Sequence, residues 1–255
     1  MTNTVNKIAL VTGGSRGLGK DMALQLAKKG FDVVITYQSK SELAQEVVTE
    51  IQALGQKAQA IPLDVADANS FDAFVNTLST TLQNEFHSQT LAALVNNAGV
   101  GIHASFAETS IAQFDSMVNI HLKGPYFLTQ KVLPLLQDEA SIVNISSGLA
   151  RFSYNGYAAY AVMKAAIESL SRYLALELGA RKIRVNTIAP GAIATDFGGG
   201  AVRDNQDLNN MIASSTALGR VGQPDDIGSV VAFLCSDDAK WINAQRIEVA
   251  GGVNI

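Results

Sequence analysis

Short apolar runs recur along this chain, each closed by glycine, proline or a small polar residue and most followed by residues at helical spacing. The runs fall at residues 8–11, 31–36, 58–63, 91–95, 141–145, 183–188 and 246–249. Most are continuous rather than alternating, as in Ile8-Ala9-Leu10-Val11, which marks strands covered on both faces. Met22, Leu24, Leu26 and Ala27 form the first helical stripe, and Gly30 closes it. A second helix is predicted over 42–54, ending at Gly55. A third carries Phe71, Phe74, Val75, Leu78, Leu82 and Phe86 at three- and four-residue spacing. A long helical region over 110–137, an alanine-rich helix over 157–179 and a helix opening at Pro224-Asp225-Asp226 complete the pattern. Such alternation predicts an α/β fold, a parallel sheet flanked by helices on both faces. No repeat, low-complexity tract or linker interrupts it, so residues 1–255 read as one domain. Only residues 195–217 loosen the pattern, with Gly198-Gly199-Gly200 and then polar residues, which predicts a mobile lid over the site.

Composition narrows the function classes. Hydrophobic content of 47% and a net charge of −4 describe a compact chain with no electrostatic case for nucleic acid. Residues 1–7 are polar, lack the apolar core of a signal peptide, and no apolar run approaches membrane-spanning length. The single cysteine, Cys235, sits among Ala232, Phe233 and Leu234 and reads as a buried small hydrophobe. These features predict a cytoplasmic protein.

The chemistry concentrates at the carboxyl ends of the strands. After the first strand comes Thr12-Gly13-Gly14-Ser15-Arg16-Gly17-Leu18-Gly19, a turn whose glycines let backbone approach a pyrophosphate at a helix N-terminus. Asp64 follows the third strand, where ligands bind in open parallel sheets, or where a plain turn residue would also stand. Asn96-Asn97-Ala98-Gly99 closes the fourth and gives a ligand room beside the backbone. Asn119 lies inside the long helical region, where asparagine is slightly unfavourable, so it serves a second role or is an exposed or backbone-bonded amide. His103 and His121 lack partners at metal-ligand spacing, so no metal site is expected. Tyr160 and Lys164 stand four residues apart on one predicted helix face, which points phenol and ammonium into the same space. A cation beside a tyrosine favours phenolate and lowers its pKa toward the working range. Ser147, in the loop after residues 142–145, is a hydroxyl able to hold a carbonyl oxygen while the tyrosine protonates it.

With the glycine-rich turn, Asn-Asn-Ala-Gly, Ser147 and Tyr-x-x-x-Lys in this order, the chain resembles the short-chain dehydrogenase/reductases, in their shorter, classical branch. The resemblance runs from Lys7 to Gly252 and includes Pro190-Gly191, Thr195, Gly219-Arg220-Val221-Gly222 and Ala250-Gly251-Gly252. Ser147 lies thirteen positions before Tyr160, as that family requires. The resemblance implies a Rossmann-type doubly wound fold with a seven-stranded parallel sheet, and hydride transfer between a nicotinamide cofactor and a carbonyl carbon. By it Tyr160 is the general acid in reduction or base in oxidation. Lys164 lowers the tyrosine's pKa and binds the nicotinamide ribose, Ser147 holds the substrate oxygen, and Asn119 positions a water between Lys164 and solvent. The implied cofactor-binding set is Gly13, Ser15, Arg16, Gly17, Leu18 and Gly19; Tyr37, Gln38 and Ser39; Asp64 and Val65; Asn97, Ala98 and Gly99; Tyr160 and Lys164; Pro190, Gly191, Ile193 and Thr195.

Selectivity for NAD usually rests on a carboxylate at the end of the second strand. Here that end reads Thr36-Tyr37-Gln38-Ser39-Lys40, with no carboxylate before Glu42, and Arg16, Ser39 and Lys40 offer donors to a 2′-phosphate. NADPH is therefore expected over NADH, although many NADP-preferring relatives carry arginine where this chain has Gln38. The first functional expectation is a carbonyl reductase acting on a small-molecule ketone or 3-oxo ester. A 3-oxoacyl-acyl-carrier-protein reductase and a sugar or polyol dehydrogenase share the same motifs. An acidic carrier would need a basic patch, for which Arg151, Lys182 and Arg203 are the scattered candidates. The flank Arg151-Phe152-Ser153-Tyr154-Asn155, with Phe197 and Met211, predicts an aromatic, apolar pocket. A dinucleotide-sensing binding protein on the same fold is the non-enzyme alternative, and such proteins typically lack the tyrosine or lysine present here. Family members commonly assemble as homotetramers through the tyrosine-bearing helix, and its alanine-rich face fits that. Asn243-Ala244-Gln245 departs from the Thr-Gly-Gln frequent in relatives, which bears on local geometry near the last strand.

Overall fold

The computed structural model describes residues 7–255; the polar stretch 1–6 read in the sequence lies outside the described residues. Seven parallel strands form one sheet in the order β3-β2-β1-β4-β5-β6-β7. They are β1 (Ile8–Val11), β2 (Asp32–Tyr37), β3 (Ala58–Pro62), β4 (Leu91–Asn96), β5 (Leu136–Ile145), β6 (Arg184–Pro190) and β7 (Arg246–Val249). The expected fold class holds. Chain order reverses between β1 and β4, which opens a crevice at the carboxyl ends where ligands bind in such sheets.

The continuous apolar runs follow from burial on both faces. In β1, Ala9 and Val11 pack with Met22 and Leu26 of α1 (Gly17–Lys28), Val47 and Ile51 of α2 (Ser41–Ala53), and Ile227 and Val231 of α9 (Pro224–Cys235). Ile8 and Leu10 point the other way, to Phe74, Leu78 and Leu82 of α3 (Phe71–Phe86) and Leu128 and Val132 of α5 (Gly124–Val132). The two-residue period of a strand therefore feeds two separate cores.

The long helix expected over 110–137 is three pieces. A capping box between Ser110 and Gln113 starts α4 (Ile111–Val118). A wide turn over Asn119–Lys123 follows, in which the Gly124 N–H reaches back five residues to the Asn119 carbonyl. Then α5 runs to Val132 and a tight turn over Leu133–Leu135, where Pro134 lacks the N–H that helix continuation needs. Consequently β5 begins at Leu136, not 141, and its pairing with β4 carries a bulge between Leu91 and Ala93 that accommodates exposed Asp138 and Glu139.

The tyrosine-bearing helix is α6 (Ala158–Glu177). Residues 195–217, expected to be irregular, form a turn over Phe197–Gly200 and helices α7 (Ala201–Asp204) and α8 (Gln206–Ser214). Gly198, Gly199 and Gly200 all adopt positive φ, and the Asn205 side chain caps α8 by accepting from the Leu208 N–H. At the Asn243 departure, the side-chain oxygen accepts from the Val185 N–H at 2.8 Å, tying the loop to β6, and Ala244 takes a φ of 59°.

Candidate active site

The glycine-rich turn between β1 and α1 is locked to the loop after β4. Thr12 Oγ1 donates to the Val95 carbonyl and accepts from the Asn97 and Ala98 N–H groups, each at 3.0 Å. Asn97 Nδ2 donates to the Thr12 and Gly13 carbonyls at 2.8 and 3.3 Å. Gly19 is required here, because a Cβ would run into the Gly13 carbonyl and the Asn97 amide. The first turn of α1 has no side-chain cap and no acidic residue, so its N–H groups and dipole are available to an anion. This cradle fits the pyrophosphate of a dinucleotide.

Beside it, Gln38 Nε2 donates to Asp64 Oδ2 at 3.0 Å, and Asp64 Oδ1 accepts from the Ala66 N–H. Ser39 and Lys40 are exposed, Tyr37 and Val65 half-buried. Arg16 is exposed, with its guanidinium 4.0 Å from Asp196. From β6, Gly191 N–H donates to the Val249 carbonyl, and Ile193 pairs with Gly222. Thr195 faces Gly17, its Cβ 3.6 Å from where a Cβ on Gly17 would lie. The loops following β1, β4 and β6 thus meet.

β5 delivers Ser147 next to the first turns of α6. Tyr160 and Lys164 are buried, with 7% and 5% exposure. Lys164 Nζ donates to the Ile145 carbonyl at 2.8 Å and lies 5.4 Å from the centroid of the Tyr160 ring. Burial pushes the Tyr160 hydroxyl above its ordinary value; the Ser147 hydroxyl works against that shift, and Tyr157 adds to it. Burial also brings the Lys164 ammonium down to about 7. The depressed tyrosine pKa expected from the sequence is thus corrected in this structure, because removing phenol and ammonium from water disfavours both charged forms. Ser147 Oγ accepts from the Leu149 N–H at 3.2 Å, which fixes the hydroxyl at the start of its loop.

The wide turn before α5 presents His121 to the site. Its ring meets the Tyr160 ring edge-on, centroids 5.1 Å apart and planes at 88°. Nε2 lies 2.7 Å from the Val100 carbonyl. Asn119, two residues earlier, supplies its backbone carbonyl to Gly124, and its side chain makes no hydrogen bond among the described residues. The sequence reading set His121 aside for want of metal partners, and regular helical spacing carries no signal that the wide turn brings its ring to Tyr160. A second feature it missed is a buried polar chain under the site. Asn96 donates to Thr129 and Asn144, Asn144 donates to Ser171, and Thr187 donates to Ser171, all at 2.8–3.0 Å. Asn144, embedded between Val143 and Ile145, was the sequence signal for it.

A second ring joins His121 against Tyr160. Phe197, from the glycine-rich segment, sits 5.9 Å away ring to ring, and it crowds Gly101, where a Cβ would lie 2.8 Å from the ring. Tyr157 meets His103 edge-on at 5.1 Å, and Phe152 meets Tyr154 at 5.8 Å. Met211 is exposed on α8. The three cations considered for a carrier-binding patch are all engaged elsewhere. Arg151 pairs with Glu248 and donates to the Val253 and Asn254 carbonyls. Lys182 pairs with Glu139 at the opposite end of the sheet, and Arg203 pairs with Asp196 and Asp204. No group of side chains able to hold a metal ion occurs among the described residues.

Known proteins resemble this chain over nearly its whole length. A family described as enoyl-(acyl carrier protein) reductase matches residues 13–254. A hydroxynaphthalene reductase-like protein of Metarhizium brunneum is 37% identical over 96% of this chain and 94% of its own. The 3-oxoacyl-[acyl-carrier-protein] reductase FabG of Staphylococcus aureus is 38% identical over 98% of both chains. The crystal structure of the angucycline C-6 ketoreductase LanV with bound NADP superposes with a TM-score of 0.92 at 32% identity, covering 97% of this chain and 96% of that one.

Proposed function

The chain belongs to the short-chain dehydrogenase/reductase family, and on that premise we propose that it is an NADPH-dependent ketoreductase for hydrophobic ketones or 3-oxo esters. The observation that carries the reading is the buried convergence of Ser147, Tyr160 and Lys164 beside the dinucleotide cradle. When bound, the reduced nicotinamide supplies the hydride, which no side chain can. Tyr160, kept protonated by its burial, gives its proton to the carbonyl oxygen as charge develops there, and Ser147 donates to the same oxygen. Lys164 stabilises the phenolate left behind and holds the nicotinamide ribose. A single catalytic domain with residues 195–217 as its lid follows, with Phe197 closing against Tyr160.

Three features support NADPH over NADH. The end of β2 has no carboxylate, Arg16 stands exposed in the pyrophosphate turn, and the similar LanV structure holds NADP. The test is loss of the reduced-nicotinamide absorbance with NADPH and with NADH, against 1-tetralone, ethyl acetoacetate and a short 3-oxoacyl thioester. Oxidation of NADPH with the tetralone or ester supports the proposal, and indifference to all three with both cofactors overturns it.

The Staphylococcus relative favours a second reading, reduction of carrier-bound 3-oxoacyl groups. The engaged state of Arg151, Lys182 and Arg203 weighs against it. A carrier-linked substrate turned over far better than the free thioester would establish this reading instead.

Location and assembly belong to the same proposal. No helix among the described residues is long and apolar enough to cross a membrane, and burial pushes the lone Cys235 thiol up to about 12, which suits a reduced cytoplasmic protein. Val162, Tyr173 and Leu176 are exposed on α6 and Tyr126 and Phe127 on α5, an apolar surface that a homotetramer would cover.

A further inference from the structure

The dinucleotide turn and Tyr160 lie at the carboxyl ends of the strands, but a cavity of about 430 Å³ opens at the opposite, amino ends. Its walls come from the starts of β5 and β6, the residue before β1, and the turn that leads from α9 into β7. Arg184, the first residue of β6, lines it and is buried, with 9% exposure. Its Nη2 donates to the Ser236 carbonyl at 3.2 Å, whereas Nη1 is buried and has no acceptor among the described residues. Burial holds this guanidinium below its ordinary value, and Cys235 and Asp237 offset that only in part. An arginine stays charged in either case, so a buried donor of this kind calls for an anion beside it.

The neighbouring side chains supply the rest of an anion site. Lys7 is paired with Asp237 at 2.7 Å and Lys182 with Glu139 at 2.8 Å. Lys240 makes no ion pair among the described residues, although its charge acts on Asp237. Four cationic and two anionic side chains line the cavity, an excess of two positive charges. A phosphate monoester carries about two negative charges near neutral pH, which matches. Beside Lys240 stands Trp241, 96% exposed, a flat indole on the edge of the same cavity. The loop that carries both is tied to β6. Asn243 Oδ1 accepts from the Val185 N–H and Asn186 Nδ2 donates to the Ile242 carbonyl, each at 2.8 Å. Strand and loop thus present Arg184, Lys240 and Trp241 together before any ligand arrives. Glu139 and Lys182 take φ of 67° and 55°, left-handed conformations that persist only where the surroundings enforce them.

We propose that this cavity is a second ligand site, which takes a phosphate monoester carried on a flat ring: Arg184 and Lys240 bind the phosphate and Trp241 stacks on the ring. The two existing ion pairs leave Arg184 and Lys240 as its uncommitted charges. Its volume falls in the range of small-molecule pockets and admits either an aryl phosphate or a nucleoside monophosphate, two sources of the same chemistry. The inference is independent of the ketoreductase reading. β6 runs seven residues from Arg184 to Pro190, which sets this site about 20 Å from the loops at the carboxyl ends.

Trp241 is the only tryptophan of the chain and therefore reports on the site directly. Titration with phenyl phosphate is expected to change its fluorescence saturably, with half-saturation at about 1 mM or below, and inorganic phosphate should compete. Phenol, which lacks the phosphate, should give no saturable change over the same range. Lys240→Gln, an exposed change that breaks no ion pair, should weaken binding about tenfold, and Arg184→Gln should weaken it further. If Arg184→Gln fails to fold, Lys240→Gln still decides. Trp241→Ala removes the reporter, so it is read by phosphorus-31 line broadening. Phenyl phosphate should then bind about fivefold more weakly while inorganic phosphate stays within about twofold. AMP distinguishes the sources: binding about tenfold tighter than phenyl phosphate supports the site as one for nucleotides, and equal or weaker binding supports it as one for aryl phosphates. Arg16→Ala, in the dinucleotide turn, should leave the phenyl phosphate titration within about twofold. No saturable change with either phosphate overturns the inference, and so does a change that Lys240→Gln leaves untouched. A change that Arg16→Ala abolishes overturns it too, since the ligand would then sit in the dinucleotide turn.

Discussion

Lys164 stands under the Tyr160 ring, its Nζ 5.4 Å from the ring centroid, and gives a 2.8 Å hydrogen bond to the Ile145 carbonyl rather than to the phenol. The pair is therefore coupled through space and through burial. An ammonium in this position stabilises a phenolate once proton transfer has made one, yet leaves the resting phenol protonated. The geometry suits an acid that is loaded before the carbonyl arrives.

Removing the acid tests this directly. Tyr160→Phe keeps the ring that packs on His121 and Phe197 and deletes only the hydroxyl. Turnover should fall by about 10²–10⁴-fold, with NADPH binding unchanged. Ser147→Ala should cost about 10²–10³-fold, because a donor to the developing oxyanion is lost while the acid remains. Steady-state rates together with fluorescence titration of NADPH check both.

Lys164 also makes stability depend on pH. Its ammonium is brought from an ordinary 10.5 down to about 7. Between those values the unfolded chain holds a proton that the native state has released, so this group makes stability rise with pH across that window. Below about pH 7 both states are protonated and the full penalty remains, each unit of displacement being worth about 1.4 kcal/mol. Lys164→Met, nearly isosteric and uncharged, should therefore gain most over the parent at pH 6 and progressively less toward pH 10. Urea midpoints across that range read the difference, and a gain that grows with pH would contradict the assignment.

Under the NADPH proposal, Arg16 is the cation that meets the 2′-phosphate. Arg16→Ala should raise the KM for NADPH about tenfold while leaving that for NADH within about twofold, since only one cofactor carries the phosphate. The magnitude is modest because the side chain is exposed and Asp196, 4.0 Å away, competes for it. Gln38→Asp should shift preference the same way by placing a carboxylate where the phosphate would lie.

How much of this could be read from the chain depended on whether local spacing decides geometry. The strands were legible because burial on both sheet faces leaves continuous apolar runs, as in 8–11 and 91–95. Tyr160 and Lys164 were legible because four residues on a regular helix fix their common face. Between 110 and 137 spacing misled, since one wide turn changes which side chain faces the sheet without altering the apolar rhythm. Asn119 and His121 are only two residues apart, and nothing in the sequence shows that the turn sends the imidazole to Tyr160. The direction of the tyrosine's shift was also out of reach, because proximity of a cation is visible in sequence while depth of burial is not. Helices α7 and α8 escaped for a similar reason: Gly198-Gly199-Gly200 argues against a helix, yet positive φ at all three simply starts α7 from a sharp bend.

The buried polar chain should behave as a unit. Asn144→Ala removes the acceptor of Asn96 and a donor to Ser171, all three being almost fully enclosed. A loss of about 1–3 kcal/mol in urea unfolding is expected, since the partners remain buried and the site is too enclosed to hydrate them freely. Pairing Asn144→Ala with Ser171→Ala should cost less than the sum of the two changes, because each removes part of the same network.

Under the proposed function, Phe197 links the segment 195–217 to substrate choice. Its ring stands 5.9 Å from that of Tyr160 and crowds Gly101, which under the proposal makes it part of the wall a ketone meets on its way to the phenol. The Asp196 carboxylate next to it is held by Arg203 and approached by Arg16, which ties this wall to the cofactor turn. Phe197→Ala removes apolar contact without touching Ser147, Tyr160 or Lys164. A bicyclic ketone such as 1-tetralone buries more surface against that ring than ethyl acetoacetate does, so its kcat/KM should fall further, about tenfold against about twofold. The difference should appear in KM, because contact with the remote part of the substrate is made equally before and during the reaction. Equal losses for both substrates, or a loss confined to kcat, would instead make Phe197 a support for the Tyr160 ring and remove it from the substrate wall.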